Sequence, residues 1–289
     1  MSAPWAMRIA DEAPLSLVIA ACGTMTLCFD DGEYHRLDDG DLALVRGPDA
    51  YVVADAPTST PTVIIHPGQR CETVDGEPLD QAMSLGVRTW GNADEPSHVL
   101  LSGTYETVAE TGRRVLDALP RALVVRHGDL DPALARLLAD EIVRSDIAQP
   151  LVLDRMLDLL VVVTLRAWIA SDHARVPAWL AAHGDPVVGP AVRLLQETPE
   201  RPWTVGQLAS EIGVSRATMA KRFTDAVGEP PMAFLTGWRL ACAAERLRTS
   251  SDGIATIAGE VGYGSPFALS TAFKRHYGIS PHRYRTHIA

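Results

Sequence analysis

One pattern occurs twice in the last ninety residues of this chain, and it restricts the fold more than any other feature. The copies are Thr204–Phe223, TVGQLASEIGVSRATMAKRF, and Ile254–Phe273, IATIAGEVGYGSPFALSTAF. Leu208, Ala209, Glu211, Ile212 and Gly213 match Ile257, Ala258, Glu260, Val261 and Gly262 at an offset of 49. Met219 and Phe223 match Leu269 and Phe273 at an offset of 50, so the extra residue falls in the turn. Each copy reads as a short helix, a Gly-containing turn and a second helix. That is the spacing of a helix-turn-helix, whose second helix enters the DNA major groove. Two in tandem, with basic residues on both second helices, point to double-stranded DNA as a partner.

The formal net charge of −10 runs against that reading until it is located along the chain. Residues 190–289 carry 12 Lys and Arg against 8 Asp and Glu, whereas residues 1–189 carry 14 against 28. An acidic front half repels phosphates, so DNA contacts are expected from the C-terminal part alone. The length of 289 residues predicts two domains, and 47% hydrophobic content is ample for two cores. The most apolar stretch, Leu151–Ala170, is interrupted by Asp154, Arg155, Asp158 and Arg166, which argues against a membrane span. No export signal opens the chain, and the expected location is the cytoplasm, with no membrane partner. Cys22, Cys28, Cys71 and Cys242 do not make a disulfide scaffold in that setting.

Leu15–Ala20, Thr24–Phe29, Leu42–Val45, Tyr51–Ala54 and Thr62–Ile65 read as short strands, with Asp-Gly and Pro-Gly turns between them. Their regular spacing predicts an antiparallel sandwich or small barrel. From about residue 111 the period becomes helical, first through Leu134, Leu137, Leu138 and Ile142. A second segment carries Leu153, Met156, Leu157, Leu160, Val163 and Ala167, behind a helix-starting Pro150. Its wide apolar face fits either a homodimer interface or an intramolecular helical hairpin. Val176–Pro190, with three prolines and two glycines, reads as a linker. The expected class is α+β: an N-terminal antiparallel β barrel (1–110), a helical linker and dimerisation region (111–186), and an all-α tandem helix-turn-helix domain (187–289).

Within the last domain, Thr204 and Gln207 form a capping box, and Ser215 is an N-cap for the first recognition helix, which runs to about Val227. Arg216, Ala217, Ala220, Lys221 and Thr224 are outward on it, while Met219 and Phe223 face inward. A long helix from Met232 to Arg248 connects to the second copy, whose recognition helix spans Ser265–Tyr277. The sequences VGEPPMAFLTGWRLACAAERL and IATIAGEVGYGSPFALSTAFKRHYGISPHRYR, together with the tandem repeat, resemble the AraC/XylS transcriptional regulators over about 190–289. The resemblance implies a sequence-specific activator or repressor, with a promoter operator, RNA polymerase and an unknown small effector as partners. Carried over by position, it implies base-facing Ala217, Ala220 and Lys221 in the first copy and Pro266, Ala268 and Thr271 in the second, with Ser265 also in the DNA-binding set. Arg216, Arg222, Arg239, Lys274 and Arg275 then become phosphate contacts, which position without specifying. Alanines and a proline offer only apolar readout, such as to thymine methyls, so Arg216 or Lys221 is expected to carry most direct base reading.

The front half resembles the cupin-like sensor domain of the same family. LDDGDLALVRGPDAY, Leu37–Tyr51, is similar to the second cupin motif, but Tyr51 stands where a metal-ligating His belongs, and the first motif's HxH…E is absent. His66 and Cys71, five apart across a Pro-Gly turn, could converge with Cys22 or Cys28, and with His98, on zinc or another transition metal. Alternatively, Cys71 is a redox-sensing thiol beside Arg70. The plainer reading makes Cys22 and Cys28 small buried hydrophobes and His66 a turn residue. Cys242, flanked by alanines, reads as packing. The competing functional class is a cupin-type metal-dependent enzyme with a DNA-binding tail; against it, the chain has no HExxH, GxSxG or P-loop.

Overall fold

The computed structural model describes residues 1–79, 81–129, 131–170 and 178–288. In the N-terminal half, apolar residues alternate or run continuously over four to eight positions between Gly and Asp turns, and strands result. These are β1 (Ala6–Ile9), β2 (Leu15–Cys22), β3 (Met25–Phe29), β4 (Tyr34–Leu37), β5 (Leu42–Arg46), β6 (Tyr51–Ala54), β7 (Val63–His66), β8 (Arg70–Thr73), β9 (Ser84–Gly86), β10 (Thr89–Trp90) and β11 (Val99–Tyr105). Helix α1 (Glu110–Ala118) precedes β12 (Ala122–Val125), and α2 (Pro132–Ile142) and α3 (Gln149–Ala170) follow.

One sheet has the order β4-β3-β6-β1-β7-β8 and another β11-β2-β5-β12, with β9 and β10 forming a separate ribbon. All pairs are antiparallel except β1 with β7. The two larger sheets share one apolar core in which Trp5, Met7 and Ile9 meet Val18, Ala20, Ala43 and Val45. This is the expected cupin-like barrel. The outward face of its four-stranded sheet is buried as deeply: Leu17, Ile19, Leu42 and Leu44 are each no more than 2% exposed. Helices α2 and α3 pack together, and α3 also lies on β5 and β12. The helical-hairpin reading of this segment therefore holds, while Leu151, Val152, Leu159 and Val162 still point outward from α3.

The chain separates into two units, and the boundary is not a single cut. The N-terminal unit is Met1–Val108 with Leu119–Ala174; the C-terminal unit is Ala109–Ala118 with Arg175–Ala289. The barrel thus extends past residue 110, because β12 completes the four-stranded sheet, and α1 groups with the C-terminal helices. Those are α4 (Ala178–Ala181), α5 (Val188–Glu197), α6 (Val205–Ile212), α7 (Arg216–Val227), α8 (Pro231–Thr249), α9 (Ile254–Glu260), α10 (Pro266–Tyr277) and α11 (Pro281–Ile288). Of the stretch read as a linker, residues 176–177 lie outside the described residues. The remainder is folded: Ala182 and Val188 enter the first helix-turn-helix core, and the Asp185 carboxylate accepts from the N–H groups of Val187 (2.7 Å) and Val188 (2.8 Å). Gly189 and Pro190 lie in the first turn of α5 rather than keeping the chain open.

Helix α1 is held in the C-terminal unit by charge and stacking. The Arg114 guanidinium donates to Glu229 at 2.8 Å and lies over the rings of Trp179 and Phe234, at 5.2 and 5.0 Å. The backbone N–H of Glu110 donates to Glu245 of α8 at 3.0 Å. Burial and the Glu110 carboxylate together push the Tyr284 hydroxyl upward in pKa.

Candidate nucleic-acid interface

Local sequence builds each recognition helix. Thr204 and Gln207 close the predicted capping box on α6, and Gly213, at φ 77°, ends that helix in the left-handed region that glycine adopts without strain. The Ser215 hydroxyl accepts from the N–H of Thr218, and Ser265 does the same for Ala268 at the head of α10. Ser265 therefore acts as a cap, with Pro266 in the first turn where its missing N–H costs nothing. Met219 and Phe223 are fully buried in one core, and Leu269 and Phe273 in the other. Helix α8 feeds both, giving Phe234 and Leu235 to the first and Leu240, Ala244 and Leu247 to the second.

Burying these stripes turns the remaining faces of α7 and α10 outward. Arg216, Ala217, Lys221, Pro266, Ala268, Thr271, Lys274 and Arg275 are exposed, and Ala220 is half-buried. Lys221 pairs with Asp225 at 2.6 Å, but both are exposed, so the pair is weak and readily exchanged for a phosphate. Arg216, Lys274 and Arg275 have no ion pair among the described residues.

Two basic residues expected at phosphates also have partners within the protein. Arg239 is half-buried: its Nε donates to the Pro199 carbonyl at 2.6 Å and Nη2 to that of Arg201 at 2.8 Å, and burial lowers its pKa. A Cβ on Gly262 would sit 2.7 Å from this guanidinium, so the second turn closes directly onto it. Arg222 donates to Asp185 at 2.9 Å. The Val188 and Val187 amides, joined by Arg222, hold the Asp185 carboxyl below its usual pKa.

Phe267, which the sequence reading passed over, is 80% exposed on α10. The signal was present: it lies outside the register of Leu269 and Phe273 and shares a face with Thr271 and Lys274. A large apolar side chain held in water on a recognition helix can meet thymine methyls.

The residues singled out for a metal site do not assemble. His66 Nε2 lies 2.7 Å from Glu72, across the β7–β8 hairpin, rather than turning to Cys71. The Cys71 thiol donates to the Gln69 carbonyl at 3.5 Å, and Cys22, at the end of β2, faces the Ser97 carbonyl at 3.9 Å. His98 stacks edge-on with Trp5. No group of three or more His, Cys, Asp or Glu able to hold a metal ion occurs among the described residues. Tyr51, in the expected metal-His position, is buried against Phe29 and hydrogen-bonded to Ser16. The barrel core around it is hydrocarbon, sulfur and aromatic rings, so the residues present do not fit the metal centre of cupin enzymes. Burial pushes the Cys242 thiol up to about 11, which fits its reading as packing.

A cupin-like barrel joined to two helix-turn-helix repeats on a shared helix defines a DNA-binding transcriptional regulator. Family models described as "Cupin" and "Helix-turn-helix domain" match residues 1–170 and 208–287. An AraC-like transcription regulator of Streptomyces lividans is 31% identical over 98% of this chain and 90% of its own length. The HTH-type transcriptional regulator AlkR of Acinetobacter baylyi is 29% identical over 97% and 90%. The DNA-binding domain of AdpA, solved with a target DNA, is 33% identical with a TM-score of 0.35, covering 36% of this chain and 93% of that one. The chain belongs to the cupin-containing AraC/XylS family of transcriptional regulators. Among the described residues, no helix is long and apolar enough to cross a membrane.

Proposed function

We propose that the protein is a sequence-specific operator-binding regulator that reads promoter DNA with α7 and α10 and carries a small-molecule sensor in its N-terminal unit. The observation that carries this is the pair of capped, exposed helices whose outward faces hold Arg216, Lys221, Lys274 and Arg275 in an otherwise acidic protein. On α10, Phe267 and Thr271 supply base readout and the two basic residues grip phosphate. On α7, Arg216 and Lys221 reach furthest, with Ala217 and Ala220 leaving room for the backbone to approach the groove. Arg222 and Arg239 hold the scaffold.

With Lys274 and Arg275 on phosphates, and up to two more contacts from Arg216 and Lys221, each bound chain is expected to give a slope between about −1.8 and −3.6 for log affinity against log salt. Fluorescence anisotropy of the full-length protein on an operator selected from a randomised library tests this. Absence of salt-dependent, sequence-selective binding would overturn it.

The outward stripe of α3 supports a homodimer. Leu159 and Val162 are 47% and 45% exposed, one turn apart on the same face. Light scattering is expected to give twice the chain mass for wild type and a monomer for Val162→Glu.

A further inference from the structure

Met25, Leu27 and Leu37 are fully buried in the centre of the barrel. A void of this unit lies on the outer side of the four-stranded sheet. There, a cavity of about 440 Å³ opens between β2 and β5 on one side and α2 and α3 on the other. Its floor is Ile19 and Leu42, and Leu160 closes the α3 side. The space exists because α2 presents Ala135 and Ala139, one turn apart, where larger residues would complete the packing.

The rim is polar, and the turn behind it is fixed. Buried Asp41 accepts from Arg126 Nη1 at 2.6 Å, from the N–H of His127 at 2.9 Å and from the N–H of Asp38 at 3.0 Å. One fully satisfied carboxylate thus ties the exit of β12 to the turn before β5. The His127 ring rests on Gly40, where an added Cβ would stand 2.4 Å from Nδ1. Asp39, Asp131 and Arg136 also line this rim. An apolar chamber with a few polar groups at its mouth, in the volume range of small-molecule sites, can take a ligand.

We propose that this cavity, outside the barrel, is the ligand site of the N-terminal unit. It takes a neutral, mainly apolar molecule of about 15 non-hydrogen atoms, at roughly 30 Å³ for each water-sized atom. One hydrogen-bond donor of that molecule points at Asp39 and Asp131, whose carboxylates disfavour anions. That the bound molecule is the regulatory signal rests on the sensor reading given above.

The test uses the full-length protein and two probes on one scaffold: N-phenyl-1-naphthylamine, neutral with one N–H, and its anionic relative 1-anilinonaphthalene-8-sulfonate. Saturable fluorescence enhancement at one site is expected, with the neutral probe several-fold tighter. Ala135→Phe fills the cavity and is expected to weaken the neutral probe about tenfold or more, or 1.4 kcal/mol. Ala139→Leu, a smaller filling on the same helix face, serves if the first variant melts early. Wild-type affinity in a filled variant of unchanged melting temperature, or no saturable binding to wild type, overturns the proposal. Operator binding measured on the same samples separates the two readings, because its loss defeats the DNA reading and leaves the probe result standing.

Discussion

Replacing Phe267 with alanine removes the largest apolar side chain on the DNA-facing side of α10. Its 80% exposure means that water, not protein, surrounds the ring in the free molecule. Folding therefore loses little, and the melting temperature is expected to stay within the range of ordinary surface substitutions, about ±0.5 kcal/mol. Docking is different. If thymine methyls and sugar edges cover about half of the roughly 150 Å² that a phenyl ring offers, about 75 Å² leaves water. At ~25 cal/mol per Å² this is about 2 kcal/mol, or roughly 30-fold in Kd for the selected operator. No charge changes, so the salt slope should not move. Anisotropy titrations at two salt concentrations, with selected and scrambled DNA, read both quantities. An operator Kd within about twofold of wild type would refute the placement of Phe267 in the groove. A changed salt slope at normal stability would refute the division of labour between Phe267 and the cations.

Three further outcomes follow from the same geometry. Asp185→Ala removes a carboxylate that accepts two amides at the start of α5 and pairs with Arg222, and should cost about 1–2 kcal/mol in thermal unfolding at neutral pH. Because the folded pKa of Asp185 is depressed, this contribution is present above its unfolded value of about 4 and is lost as pH falls through the folded value; the melting temperatures of wild type and variant should converge in acid. Arg114→Ala takes a cation from two aromatic rings and from Glu229, and a loss of about 1–2 kcal/mol in the C-terminal unit is expected by denaturant titration. Alkylation followed by mass mapping at pH 8 should modify Cys22 well before Cys242, whose thiol stays protonated.

The elements legible in the sequence are those whose causes are local. Thr204, Ser215 and Ser265 announce their helices because a cap acts over three residues, and Gly213 ends α6 through its own backbone freedom. What stayed hidden depends on distant partners. Arg239 reads like any surface arginine on an amphipathic helix, and only the fold brings the Pro199 and Arg201 carbonyls to it. Strand β12 is four residues in a helical context, and pairing with β5 makes it a strand. His66 and Cys71 looked convergent across their turn, yet in a hairpin neighbouring side chains leave opposite faces, and His66 found Glu72.

The interleaving of α1 bears on how this protein can be taken apart. A fragment beginning at α4 contains every residue of both helix-turn-helix repeats, yet it lacks the Arg114 that covers Trp179 and Phe234 and the amide that meets Glu245. Such a fragment is a hydrophobic notch waiting for its plug, and a synthetic peptide of residues 109–118 should bind it and raise its melting temperature. The same threading means that a gene fusion exchanging sensors at a single crossover would carry a foreign plug into the notch.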